Sequence, residues 1–186
     1  MQDRLNDAFA AHPRENFLPD EVGQQAAIDA PLPIGYDQTN SQPSTVHRML
    51  EWLDAQNAQK VLDVGSGSGW TTALLSHLVG SEGKVYAVEK VPELVRFGKI
   101  NCDRQNVTNA EFQAAGDYFG LADQAPFERI LVSASAKEMP LELIDQLDNG
   151  GRMVIPVRHS IFVIDKNDQG SIKETEHPGY AFVPLV

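Results

Sequence analysis

A glycine-rich segment, VLDVGSGSGW at residues 61–70, places the strongest constraint on the fold of this chain. The apolar residues before Gly65 predict a buried strand, and Gly65, Gly67 and Gly69 predict a sharp turn after it. Glycines at this spacing let the main chain approach a ligand closely because they carry no Cβ. The following TTALLSHLVG has apolar residues at helical spacing and ends at Gly80. The segment therefore predicts a strand, a glycine turn and a helix.

A second predicted strand, VYAVE, ends in the acid Glu89. This acid follows the glycines by about 20 residues, the offset at which a carboxylate can accept hydrogen bonds from ribose hydroxyls. The spacing GxGxG differs from the GxGxxG that places a pyrophosphate on a helix N-terminus. It therefore favours S-adenosyl-L-methionine, which has no phosphate, over NAD. A turn without any ligand is the remaining interpretation of the glycines alone.

Composition and charge limit the size and the partners of the protein. With 186 residues, the chain is long enough for one well-cored domain and short for two. The net charge is -11 and the 15 Lys and Arg are scattered, which disfavours a nucleic-acid partner. We also expect no membrane segment, and the polar start MQDRLNDAFAAHPREN predicts a cytoplasmic protein. A lone Cys102 excludes an intramolecular disulfide, and no zinc-ligand spacing is present, so no metal is predicted.

Strands and helices alternate along the rest of the chain. Helices are predicted at residues 3–11, 43–53, 91–106 and 140–147, the last one ending at Asn149-Gly150-Gly151. Further strands are predicted at residues 111–114, 129–133, 152–157, 160–165 and 181–185. The pattern predicts an α/β fold with a doubly wound, mostly parallel seven-stranded sheet and an antiparallel hairpin near the C-terminus.

A polar segment at residues 29–44, DAPLPIGYDQTNSQPS, precedes the glycine motif. Its prolines and glycine argue against regular secondary structure over most of its length. Residues 38–42 carry hydroxyls and amides close together, so the segment is either solvated or a binding surface, and composition alone favours solvation. Ser41 or Ser44 is expected to cap the next helix, since Pro43 suits a first helical turn.

The order of these motifs resembles that of the protein-L-isoaspartate (D-aspartate) O-methyltransferases, from Pro13 to Leu185. The motifs that carry the resemblance are PRENFLP, PLPIG with QTNSQP, VLDVGSGSGW, VYAVEKVPEL, the pair Gly116-Asp117, APFERILVSASAKEMP, GGRMVIPV and FVPL. A glycine motif alone is weak evidence, whereas PLPIG, QTNSQP and GGRMVIPV together are specific. The resemblance implies a single Rossmann-like methyltransferase domain. Residues 1–45 would form its N-terminal helix and active-site loop, and residues 46–186 its cofactor-binding core.

The resemblance also implies an activity and its residues. The activity is carboxyl methylation of isoaspartyl and D-aspartyl residues in damaged proteins, which uses S-adenosyl-L-methionine, releases S-adenosyl-L-homocysteine and begins repair. Ser41 would be the active-site hydroxyl, beside Thr39. Glu89 would hold the ribose and Asp117 the adenine amino group. The predicted cofactor-binding residues are Asp63, Gly65, Ser66, Gly67, Gly69, Glu89, Lys90, Gly116 and Asp117. The implied partners are isoaspartyl peptides and proteins, bound by a monomer.

Three departures from the family pattern keep other functions open. Asn40 replaces an apolar residue, Tyr118 replaces a glycine, and the turn at Arg158 is shortened. One alternative is a divergent methyltransferase of another carboxylate or a small acceptor. The other is a non-catalytic relative that still binds the cofactor.

Overall fold

The computed structural model of the protein describes residues 2–185. The helices are α1 (Gln2–Ala11), α2 (Asp20–Gly23), α3 (Pro43–Leu53), α4 (Trp70–Val79), α5 (Pro92–Arg104) and α6 (Leu141–Gln146), with 3₁₀ turns at Arg14–Phe17 and Ala122–Gln124. The strands are β1 (Leu32–Gly35), β2 (Gln38–Asn40), β3 (Lys60–Val64), β4 (Lys84–Glu89), β5 (Ala110–Ala114), β6 (Phe127–Val132), β7 (Leu147–Val157), β8 (Ser160–Lys166) and β9 (Ile172–Pro178). No helix within residues 2–185 has the length and apolar character needed to cross a membrane.

Seven strands form one sheet in the order β5-β4-β3-β6-β7-β8-β9. The pairs from β5 to β7 are parallel, and β7, β8 and β9 pair antiparallel. The predicted fold class is confirmed. The chain builds outward from β3 to β5 and then returns to place β6 on the other side of β3. In a doubly wound sheet, this reversal opens a crevice at the carboxyl ends of the two central strands.

Apolar side chains cover both faces of the sheet. Val61 of β3 packs in one core with Leu50 of α3 and Leu74 of α4. Ile130 of β6 packs in a second core with Leu143 of α6. Strands buried on both faces need apolar residues in succession, which explains Val61-Leu62 in β3 and the run Ile130 to Val132 in β6. The predicted division of one domain into residues 1–45 and 46–186 stays a prediction.

The segment at residues 29–44 is more ordered than its composition predicts. Strands β1 and β2 form an antiparallel hairpin that pairs Leu32 with Asn40, so the prediction of an irregular segment is wrong. Tyr36 and Asp37, at the turn, have φ values of 55° and 56°. Two successive residues with positive φ are typical of a tight hairpin turn. A two-stranded hairpin also tolerates proline, because each of its strands has a free edge.

Helix α3 begins at Pro43 as expected, but its amino-terminal end is held by a residue distant in sequence. The Asp29 carboxylate accepts hydrogen bonds from the backbone N–H of Ser44 at 2.9 Å and from its hydroxyl at 2.7 Å. These bonds lower the pKa of Asp29 below its usual value. The residue at the N-cap position, Gln42, makes no capping bond with its side chain. The predicted cap from Ser41 or Ser44 is therefore wrong. Asp29, the first residue of the segment 29–44, caps the helix that begins at the end of the same segment.

Two predictions in the C-terminal part are also wrong. Helix α6 leads directly into β7, so residues 149–151 lie within a strand and do not end the helix. The last strand is β9, whereas residues 181–185 have no regular secondary structure apart from one bridge, between Pro184 and Ser135. The sequence of β9, IKETEHP, is polar and largely exposed, so it lacks the alternation that identifies a half-buried strand. Charged side chains are common on edge strands because they prevent pairing with other chains.

Candidate active site

A cavity lies at the carboxyl ends of β3, β4 and β6, where the order of the strands reverses. Its wall also includes the hairpin β1–β2, the segment at residues 115–120 and the C-terminal residues 183–185. The predicted site residues that line it are Thr39, Ser41, Gly65, Ser66, Gly67, Glu89, Lys90, Gly116 and Asp117. Asp63 and Gly69 do not line it. The fold thus brings most of the predicted site together, although these residues are spread over much of the chain.

The glycine turn follows β3 and forms the floor of the cavity. Gly65, Gly67 and Gly69 have φ values of 77°, 51° and 84°, in the left-handed region that favours glycine. The backbone N–H groups of Gly65 and Ser66 donate to Val88 O at 2.9 and 3.1 Å, which holds the turn against β4. A side chain on Gly67 would lie 3.1 Å from Ile34, so the turn and the hairpin approach closely here.

Gly69 lies behind the cavity, where α4 begins. A Cβ at this position would lie 2.7 Å from the carbonyl oxygen of Gly98 in α5. Gly69 therefore allows α4 and α5 to approach, which is a packing role. Its partner Gly98 is not among the residues predicted from the sequence, although a glycine inside an apolar helical pattern is a signal of close packing.

Gly69→Ala is expected to lower the free energy of unfolding by ~2–5 kcal/mol, because the change adds a backbone clash to a positive φ. Urea unfolding measures this loss. Gly23→Ala is the matched control, since a Cβ at Gly23 meets nothing within 4 Å, and it should change stability by less than about 1 kcal/mol. Equal stability of the two variants would contradict the packing role of Gly69.

Glu89 ends β4 with its carboxylate largely buried at the cavity wall. The side chain is 8% exposed. One oxygen accepts from Gly67 N and the other from Val91 N, both at 2.9 Å. A carboxylate oxygen has a second lone pair, so each can accept one more hydrogen bond from a ligand in the cavity. The two backbone donors therefore orient Glu89 for a pair of neighbouring hydroxyls.

Asp63 lies at the base of the glycine turn and is fully buried. Its Oδ2 accepts from the hydroxyls of Thr71 at 2.8 Å and Thr72 at 2.7 Å. Its Oδ1 has no hydrogen-bond partner within residues 2–185. Burial raises the pKa of Asp63 to about 6, against the two threonine bonds that lower it, and the charge of Glu89 raises it further. Through these two bonds, Asp63 near the end of β3 connects the glycine turn to the first residues of α4.

The raised pKa of Asp63 makes stability depend on pH. The folded protein favours the protonated carboxyl, so this contribution is complete below the unfolded-state pKa of 3.8 and is lost as pH rises through about 6. Between pH 4 and 6.5 wild type should lose about 2 kcal/mol relative to Asp63→Asn. Urea unfolding over this range measures the difference, with Asp123→Asn, at an exposed position, as the control. Parallel curves for wild type and Asp63→Asn would contradict it.

The hairpin forms the wall of the cavity that carries the predicted catalytic residues. Thr39 and Ser41 are half-buried and line the cavity, and Asn40 between them is buried. The favoured interpretation of this segment as solvated is therefore wrong for residues 39–41. Asn40 Oδ1 accepts from Arg14 Nε at 2.7 Å, and its Nδ2 donates to Ser68 Oγ at 3.0 Å. The sequence analysis assigned no role to either partner.

The positions that depart from the family pattern have clear structural settings. Tyr118 lines the cavity but is 77% exposed, so its ring lies at the mouth. Arg158 adopts a φ of 56° in the tight turn between β7 and β8, and its Nε donates to Lys137 O at 3.0 Å. The C-terminal segment is held by Ser135, whose N–H donates to Val183 O at 2.7 Å.

Comparison with known proteins agrees with the resemblance. The family model described as protein-L-isoaspartate(D-aspartate) O-methyltransferase (PCMT) matches residues 1–186. A protein-L-isoaspartate O-methyltransferase of Methanopyrus kandleri is 40% identical over 188 aligned residues, which cover 98% of this chain and 83% of that protein. The corresponding protein of Aeropyrum pernix is 43% identical, with 98% of this chain and 72% of that protein covered.

Solved structures show the same fold. A protein-L-isoaspartate O-methyltransferase superposes with a TM-score of 0.89 at 28% identity, covering 99% of this chain and 61% of that one. This chain thus spans about three fifths of the solved protein. A Plasmodium falciparum structure, described as a protein-L-isoaspartate O-methyltransferase in complex with S-adenosyl-L-homocysteine, superposes with a TM-score of 0.87 at 24% identity. It covers 99% of this chain and 90% of that one, and this likeness concerns the fold.

Proposed function

Because this chain belongs to the protein-L-isoaspartate(D-aspartate) O-methyltransferase family, we propose that it methylates the side-chain carboxylate of isoaspartyl and D-aspartyl residues in damaged proteins. The observation that carries the proposal is one cavity that joins Glu89 and the glycine turn to Thr39 and Ser41. The methyl ester that forms leads to a succinimide, the first step of repair.

The wall of the cavity fits S-adenosyl-L-methionine. Glu89 suits the ribose hydroxyls, and the glycine turn leaves room for the methionine end. Ser66 also lines the cavity, and its buried hydroxyl has no hydrogen-bond partner among the described residues. We propose that Asp117 binds the adenine amino group. Lys90 and Tyr118 line the cavity near this position. When bound, S-adenosyl-L-methionine supplies a methyl group on a sulfonium, which is an activated electrophile. The complex described for the Plasmodium falciparum protein supports the choice of cofactor.

The acceptor is a carboxylate that is ionised at neutral pH, so it needs no general base. The protein has to orient one carboxylate oxygen about 3 Å from the methyl carbon and exclude water around it. Hydroxyls of Thr39 and Ser41 suit this task because they can donate to the other carboxylate oxygen. A paired Arg would hold the carboxylate more strongly and make it a weaker nucleophile.

We infer further that the protein acts as a monomer in the cytoplasm, on proteins and not on nucleic acid. The net charge of -11 supports the choice of partner, since such a surface repels a phosphate backbone. Light scattering after size-exclusion chromatography tests the monomer.

The test of the activity is transfer of labelled methyl groups to a short isoaspartyl peptide, beside the same peptide with normal aspartate. We expect base-labile label on the isoaspartyl peptide only. The normal peptide is the control, since it differs only in the link between two residues. Label on neither peptide, or on another acceptor alone, would contradict the proposed substrate.

A further inference from the structure

A buried hydrogen-bond network connects the N-terminal segment, the hairpin β1–β2 and the glycine turn. Its three side chains are Arg14, Asn40 and Ser68, which are 5%, 6% and 3% exposed. Arg14 Nε donates to Asn40 Oδ1 at 2.7 Å, and Asn40 Nδ2 donates to Ser68 Oγ at 3.0 Å. Both the oxygen and the nitrogen of the Asn40 amide are therefore hydrogen-bonded. Within this network of three side chains, Asn40 is the one that bonds to the other two.

The Arg14 cation makes the Asn40 oxygen difficult to replace. Among residues 2–185 no carboxylate forms an ion pair with Arg14. Its guanidinium donates instead to the carbonyl oxygens of Ala26, Ile28 and Ala30 at 3.2, 3.0 and 2.8 Å, and to Asn40 O at 3.0 Å. Burial lowers the pKa of Arg14, against the charge of Asp29, which raises it. An apolar residue at position 40 would leave Nε of a buried cation without an acceptor.

The same amide lies between the two walls of the cavity. Asn40 is flanked by Thr39 and Ser41, which carry the hydroxyls assigned to the acceptor. Ser68 belongs to the glycine turn, and its carbonyl oxygen accepts from Asn101 Nδ2 at 3.0 Å, which anchors the turn to α5. A change in the position of Ser68 therefore acts on the hairpin through its hydrogen bond with the Asn40 side chain.

We propose that Asn40 is a positioning residue that couples cofactor binding at the glycine turn to the order of the acceptor hairpin. This inference rests on the proposed function, because it assigns the cofactor to one wall and the acceptor to the other. With cofactor bound, Ser68 is fixed, Asn40 is fixed by Ser68, and Thr39 and Ser41 are held for the carboxylate. Without the contacts of the cofactor, Ser68 is held only by its protein partners Asn40 and Asn101, so the glycine turn restrains the hairpin less firmly.

Amide hydrogen exchange with and without S-adenosyl-L-homocysteine tests the coupling. In wild type the ligand should slow exchange in residues 32–40 by about fivefold, the factor that corresponds to one net hydrogen bond. In Asn40→Leu this slowing should be lost, while slowing in the glycine turn remains. Asn40→Asp should restore it, since a carboxylate accepts from both Arg14 and the Ser68 hydroxyl.

Two further variants separate coupling from general loss of stability. Ser68→Ala removes only the link to the glycine turn and should lose the slowing although the Arg14 contact is intact. Val22→Ala, in the neighbouring apolar cluster, should lower stability and keep the ligand-dependent slowing. In steady-state kinetics, Asn40→Leu should raise KM for the isoaspartyl peptide and lower kcat, each by about fivefold or more.

Retention of the slowing in both Asn40→Leu and Ser68→Ala would overturn the coupling. So would its absence in wild type, whatever the methylation assay gives. If wild type shows the slowing and loses it in the variants but labels no isoaspartyl peptide, the coupling holds and the proposed substrate fails. If wild type labels the peptide and the variants keep the slowing, the substrate holds and the coupling fails.

Discussion

Glu89→Ala is expected to weaken the binding of S-adenosyl-L-homocysteine by about 10- to 100-fold, or ~1.4–2.8 kcal/mol. The change removes the two oxygens assigned to the ribose, and it also leaves the N–H groups of Gly67 and Val91 without their acceptor. The glycine turn therefore loses a support as well as a ligand contact. Isothermal titration calorimetry at neutral pH measures the affinity.

Two control variants separate these contributions. Glu89→Gln keeps one acceptor oxygen and the shape of the side chain, so its affinity should lie between those of wild type and Glu89→Ala. Glu93→Ala removes an exposed carboxylate on α5 whose partner is Arg96, and it should bind like wild type. Wild-type affinity in Glu89→Ala would show that the cofactor lies elsewhere.

Ser41→Ala is expected to lower kcat for the isoaspartyl peptide by about 10- to 100-fold, while the affinity for S-adenosyl-L-homocysteine stays within about twofold of wild type. Ser41 lines the cavity directly after the hairpin, whereas Glu89 lies at the end of β4, so loss of the Ser41 hydroxyl should disturb the orientation of the acceptor and not the cofactor. Labelled methyl transfer under saturating cofactor measures kcat, and calorimetry measures the affinity.

Ser44→Ala is the matched control for this prediction. It makes the same chemical change in the same segment, but the Ser44 hydroxyl donates to Asp29 and does not line the cavity. Its turnover should be close to that of wild type. A parallel loss in the two variants would mean that the effect comes from the segment as a whole and not from the acceptor site.

The sequence predicts best where local chemistry decides the structure. The turn after β3 needs positive φ at Gly65, Gly67 and Gly69, and few residues other than glycine allow this, so the motif identifies the turn without any tertiary information. The central parallel strands are predicted for a similar reason, since burial on both faces demands continuous apolar runs. Glu89 is placed by these two features together, since it ends the apolar strand β4 at the expected distance from the glycine turn.

The sequence predicts poorly where a distant partner decides the structure. Asp29 holds the start of α3 from 15 positions before Ser44, and no local pattern marks this pairing. Gly69 needs glycine for its contact with Gly98 as well as for its positive φ, and only the packing of α4 on α5 reveals that contact. The polarity of Asn40 is likewise explained by a buried cation from another part of the chain. Such side chains are chosen by tertiary neighbours, so their roles become visible only in the fold.

The C-terminal segment has a practical consequence for handling the protein. Val183 to Leu185 form part of the cavity wall, so a purification tag or a fluorescent reporter placed directly after this segment begins beside the cavity. A flexible fusion there would compete with substrate for the same space and would raise the apparent KM. Helix α1, at the other end of the described chain, contacts α3 and α4 on a face of the sheet. Kinetic work on the cavity is therefore better served by an amino-terminal fusion.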